Sequence, residues 1–68
     1  MKLPTQRQID LGVSVSEYCY DLSIYAALGG YKPTPTNDKI EAIGELYVNG
    51  DINSVTAIYL AMNLEETL

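Results

Sequence analysis

Two clusters of turn chemistry divide this 68-residue chain: Gly29-Gly30-Tyr31-Lys32-Pro33-Thr34-Pro35 and Asn49-Gly50-Asp51. Paired glycines, closely spaced prolines and Asn-Gly bend a backbone rather than extend a helix or strand. Three segments remain. Each carries apolar residues at spacings of three and four, and none sustains the period of two expected of a half-buried strand. The expectation is an all-α fold, a small three-helix bundle in a single domain over residues 1-68. Its helices fall at about 5-28, 35-49 and 53-65.

In the first segment Thr5 and Gln8 fit a capping box, in which each side chain satisfies the other residue's backbone N–H. Leu11, Val15, Tyr18, Leu22 and Tyr25 share one helical face. A second potential box, Ser14 with Glu17, lies inside the segment beside Gly12. The segment therefore reads either as one long helix or as two helices broken near Gly12-Val13. The apolar, tyrosine-rich stretch from Val13 to Tyr20 is the one strand competitor. Gly29 or Gly30 supplies the left-handed residue that ends the helix.

In the second segment Thr34-Pro35 resembles an N-cap followed by a first-turn proline, with Thr36 and Asn37 as alternative caps. Ile40, Ile43 and Tyr47 form the stripe, with Leu46 beside it. Gly44 shares that face, where a mid-helix glycine costs up to about 1 kcal/mol against alanine. Close approach of another helix is a reason to tolerate it. In the third segment Asn53 or Ser54 opens the helix, Val55, Ile58, Tyr59 and Met62 form the stripe, and Glu65 to Leu68 are expected to fray.

Chemistry is constrained by what the chain lacks. It has no histidine and one cysteine, Cys19. That removes the commonest general base, any zinc site and any internal disulfide. Cys19 lies beside the first apolar stripe and reads as a buried, inert thiol. Gly29-Gly30 is too short for a phosphate loop, and no Gly-Lys-Ser/Thr follows it. No cofactor, metal or catalytic residue is expected, and the chain reads as a non-enzyme. The start, Met1 to Gln8, turns polar at once, unlike a signal peptide. No stretch approaches the ~18 apolar residues of a membrane span. Cytoplasm is the expected compartment.

Nine acidic residues against four basic ones give a formal charge of −5. Direct nucleic-acid binding is disfavoured, because it depends on Lys and Arg neutralising phosphates. An anionic membrane is disfavoured likewise. The expected partner is another protein with a basic surface. The acids form rows: Asp10, Glu17 and Asp21 on one flank of the first helix, and Asp38, Glu41 and Glu45 on one face of the second. Like charges three or four apart cost roughly 0.2–0.5 kcal/mol per pair, so helix stability does not explain such rows. They read either as a solvated face or as a surface set against a basic groove, imitating a phosphate backbone.

Six tyrosines stand with no phenylalanine or tryptophan. Tyrosine buries a ring while keeping a hydroxyl for water or a partner. Tyr18, Tyr25, Tyr47 and Tyr59 lie on the stripes and read as edges of a small core. Tyr20 and Tyr31 lie off them and are the better contact candidates. The candidate partner-binding set is Tyr20, Tyr31, Asp10, Glu17, Asp21, Asp38, Glu41 and Glu45.

From Gly30-Tyr31-Lys32-Pro33 through Tyr47-Val48-Asn49-Gly50-Asp51-Ile52 the chain resembles the VbhA-type antitoxins, small helical inhibitors of Fic-domain AMP-transferases. The similarity covers about residues 22 to 62: a helix ending in glycine, a proline-containing turn, a helix ending in a Gly-acidic-Ile step, and a third helix. The family's inhibitory motif is Ser or Thr, three residues, Glu, then Gly or Asn. Aligned on Gly30, Tyr25 occupies its Ser/Thr position and Gly29 its Glu position. The resemblance thus implies the helical fold without the glutamate that pairs with the enzyme's arginine, and no inhibitory residue carries over. Three functional expectations follow. The first is an antitoxin-like inhibitor that occludes a partner protein. The second is an anti-defence protein of a phage or mobile element, an anti-CRISPR-like acidic mimic that binds a basic nuclease complex. The third is self-association into a homodimer through tyrosine faces.

Overall fold

The computed structural model describes residues 3–64, which form three α-helices and no strand. They are α1 (Gln6–Leu28), α2 (Asp38–Val48) and α3 (Ser54–Met62). At 1.5 Å per residue, α1 is about 35 Å long, and the molecule measures 40 × 20 × 16 Å. One long helix therefore sets the length, and the two shorter ones pack along it. No helix among the described residues is long and apolar enough to cross a membrane.

Local chemistry explains the ends. Thr5 caps α1: its Oγ1 accepts from the Gln8 N–H at 3.1 Å, while the Gln8 side chain accepts from the Thr5 N–H at 2.7 Å. Gly29, at φ 80°, ends the helix and donates its N–H to the Tyr25 carbonyl at 2.8 Å. Between these ends α1 is continuous, and the break considered near Gly12-Val13 does not occur. Asn37 caps α2 by accepting from the Ile40 N–H at 2.9 Å, and Asp38 and Glu41 lie in the first turn. There their charges complement the helix dipole. The second helix begins at Asp38 rather than near Pro35. Pro33 and Pro35 disfavour helical backbone at the residues before them, and Asn37 supplies the stronger cap.

After α2, Gly50 takes φ 85°. Its N–H donates to the Tyr47 carbonyl at 3.1 Å, and the Asp51 N–H donates to Leu46 at 2.9 Å. This paired closure satisfies carbonyls that the helix end leaves open. Asn53 then caps α3 through the Thr56 N–H at 2.8 Å. The third helix stops at Met62, where Asn63 Nδ2 donates to the Tyr59 carbonyl at 2.8 Å. The positions expected to fray, 65–68, lie outside the described residues.

The direction of α2 follows from its neighbours. Pro33 to Thr36 pack beside Ser14, Glu17 and Asp21, so the connection runs back along α1. Gly44 then meets Tyr18 and Leu22, Tyr47 meets Ser23, and Val48 and Asn49 lie beside Tyr25 and Ala26. The order ascends on both helices, so α2 runs parallel to α1. The extended connection is long enough for this. Returning about half of α1 needs roughly 16 Å, well within the reach of the residues between Leu28 and Asp38.

The core consists of Val15, Tyr18, Cys19 and Leu22 from α1, Ile40 and Ile43 from α2, and Ala57 and Ala61 from α3. Leu11, Tyr47, Ile52, Ile58 and Leu64 pack around it. The stripe expected on α3 splits: Ile58 packs against the core and Met62 against Gly12, while Val55 and Tyr59 turn outward. Ala57 and Ala61 are fully buried, whereas Val55 is 73% exposed and Tyr59 67%. The small side chains let α3 lie close to α1. Val55, Tyr59 and Leu60, which a transfer-energy argument would bury before alanine, stay exposed.

Candidate protein-binding surface

Two surfaces flank the core. The first surrounds Tyr18. This ring lies against Gly44, where α2 has no side chain to keep it away. Glu17 and Asp21 share a cleft of about 230 Å³ with it and with the Pro33–Thr36 strap. Burial pushes the Tyr18 phenol pKa above its ordinary 10.0, and the negative charges of Glu41 and Glu45 push it further. Carboxylates from both acidic rows thus gather around one tyrosine edge. Asp38 belongs to the α2 row, on the side opposite Ile40 and Ile43. Asp10 lies on the α1 row, where one carboxylate oxygen accepts from Gln6 Nε2 at 2.9 Å.

All six of these carboxylates are exposed. Tyr20 lies on the outer face of α1 and is 68% exposed; Tyr31, in the α1–α2 connection, is fully exposed. The eight candidate residues do not form one constellation. Tyr18 shares its cleft with Glu17 and Asp21 and feels the charges of Glu41 and Glu45, while Tyr20 and Tyr31 stand apart from that cleft.

The second surface escaped sequence reasoning. Between α1 and α3 runs a furrow of about 490 Å³. Ile9, Val13 and Ser16 form its α1 wall, Ile58 and Met62 its α3 wall, and Glu17 its rim. Gly12 forms the floor: an added Cβ would lie 3.0 Å from Met62 Cγ and 3.2 Å from Ile58 Cγ2. Val55 and Tyr59 continue the α3 wall outward at helical spacing from Ile58 and Met62. Tyr20 continues the α1 wall, one turn beyond Ser16. The available signal was the apolar series Ile9, Val13, Tyr20 and Ile24, a second stripe on α1 opposite the first.

The remaining polar chemistry serves structure. Ser23 Oγ donates to the Cys19 carbonyl at 3.0 Å, which uses its only proton. It therefore accepts from the Tyr47 hydroxyl at 2.9 Å, tying α2 to α1. The Cys19 thiol is buried and free, and burial raises its pKa, which lowers its thiolate fraction. Among the described residues no three acidic or cysteine side chains gather as they would around a metal ion. In comparisons of sequence and structure, no protein-family model, curated protein or solved structure matches the chain.

Proposed function

We propose that this chain is a non-enzymatic, protein-binding regulator: an antitoxin-like inhibitor, acting in the cytoplasm, that docks on a partner protein and occludes its working surface. The small-residue seam of α3 supports this reading. Ala57 and Ala61 fill the seam while Val55 and Tyr59 on α3 and Val13 and Tyr20 on α1 stay exposed. Exposed apolar side chains gathered on one side of a small domain mark an interaction surface more often than a solvated one. The formal charge of −5 favours a basic partner and disfavours nucleic acid or membrane.

The test is co-expression with candidate toxins, Fic-domain enzymes among them, followed by retention and activity assays. A true partner is retained at micromolar concentration, and its activity falls as the chain is added. Retention of none of them, or retention with full activity, would sink the reading.

A second reading, an acidic mimic that occupies a basic nuclease of a defence system, draws on a different observation. Tyr18 has Glu17 and Asp21 of α1 in its cleft and lies within the field of Glu41 and Glu45 of α2. It predicts binding that weakens steeply with salt, competes with DNA, and is lost when Asp38→Asn, Glu41→Gln and Glu45→Gln are combined. Salt-insensitive binding removes it.

A further inference from the structure

We propose that the furrow between α1 and α3 seats a single amphipathic helix of the partner protein, apolar on its buried face and bearing Lys or Arg along the edge that meets Glu17. This rests on the protein-binding reading above and adds to it the surface used and the chemistry of its occupant.

Shape gives the first argument. The furrow is floored by Gly12, and its walls are side chains of two helices. The backbone N–H and C=O groups along those walls are already paired within their helices. An entering strand would bring its own unpaired backbone groups into an apolar trough with nothing to satisfy them. A helix satisfies its own and presents only side chains, as in other helix-in-groove complexes. From Ile9 to Glu17 the α1 wall extends about 12 Å, a little over two helical turns. The occupant therefore needs apolar anchors over about that length, at spacings of three and four.

Charge gives the second argument. Among the described residues that line the furrow none is basic, and Glu17 is the charged one. Asp10 and Asp21 lie seven residues before and four after Glu17, on the same flank of α1. Glu17 at the furrow thus stands in a row of carboxylates that runs along α1. A basic edge on the occupant complements it. A second copy of this chain does not, because it would set another acidic row and a further formal charge of −5 against the first.

The probe is a blocked Ala-rich peptide of about 18 residues, long enough for measurable helicity. Leucines line one face and lysines one flank, and a twin carries glutamates in place of the lysines. Binding to the full chain is followed by fluorescence anisotropy. The lysine peptide is expected to bind with a micromolar Kd, and the glutamate twin at least about tenfold more weakly. Combining Val13→Ser, Val55→Ser and Tyr59→Ser changes no charge and touches only exposed positions. It should weaken the lysine peptide by about tenfold or more while leaving circular dichroism and Tm unchanged. Glu17→Gln should weaken it by about two- to fivefold and flatten its salt dependence.

Equal binding of the twins, no binding of either, or indifference to the triple variant each overturns the proposal. So does a concentration-dependent dimer that the triple variant abolishes, since a second copy would then be the occupant. A partner protein retained equally by wild type and triple variant removes this placement but leaves the binding reading standing. Specific peptide binding with no partner among the tested toxins counts against that reading alone.

Discussion

Gly44 and Gly12 both admit a neighbouring side chain that any other residue would hold away, yet the two seams they serve differ. At Gly44 the neighbour is the Tyr18 ring, backed by Leu22, whose Cδ1 would lie 2.8 Å from an added Cβ. The ring is flat, stiff and buried. At Gly12 the nearest atoms are Met62 Cγ and Ile58 Cγ2, at 3.0 and 3.2 Å from an added Cβ, and these side chains border an open furrow. The α1–α2 seam also has a hydrogen-bonded link, Tyr47 through Ser23 to the Cys19 carbonyl. The α1–α3 seam has small side chains inside and large ones outside. The first seam is pinned by a buried ring and a hydrogen-bonded link, with clefts of about 410 and 460 Å³ toward its Val48 end. The second rests on small side chains along a furrow of about 490 Å³.

The largest test of that contrast is Ile40→Ala. Ile40 is fully buried where α2 meets α1, and such truncations cost about 2–5 kcal/mol. A domain of this size has roughly 3–5 kcal/mol in total. Circular dichroism should therefore show a largely unfolded variant. Gly44→Ala should follow, destabilising by about 1–3 kcal/mol through overpacking against Tyr18 even after the gain in helix propensity. A variant as stable as wild type in urea would mean the seam is looser than described. Tyr47→Phe should cost about 0.5–1.5 kcal/mol by deleting the link to Ser23.

Alkaline pH offers a smaller, graded probe. The folded pKa values of Cys19 and Tyr18 are raised above their ordinary 9.0 and 10.0. Their unfolded forms thus lose protons first as pH rises. The stabilisation from keeping both groups neutral is intact below about pH 9 and is lost as pH climbs through the folded values. Urea midpoints should be flat from pH 7 to 9 and decline above, and Tyr18→Phe should flatten the part above pH 10. Gly12→Ala is the smallest expected change, within about 0.5 kcal/mol, because the propensity gain offsets a slight shift of Met62. A loss as large as that of Gly44→Ala would erase the distinction between the seams.

The elements differ in how far residue pattern alone reveals them. On α1 one face repeats Leu11, Val15, Tyr18 and Leu22 between polar neighbours, and that face is the one packed. On α3 the run Val55 to Met62 is apolar on nearly every side, so periodicity does not choose a face. The choice fell to close packing: Ala57 and Ala61 admit α1 nearer than Val55 and Tyr59 would. The acidic candidates are outward, where water solvates their charge. The furrow was hidden because its members come from Ile9 and Met62, far apart in the chain. Val13 in particular looked like a weak point in a helix rather than a wall.

Amino-acid order alone determined where helices begin and end, because caps, prolines and left-handed glycines act within a few residues of themselves. It also determined the charge that any partner must meet. Only the tertiary structure decided that α2 runs parallel to α1, which face of α3 goes inside, and that α1 and α3 leave a trough between them. Those outcomes depend on how closely whole helices can approach, and that distance is set jointly by residues the chain keeps far apart.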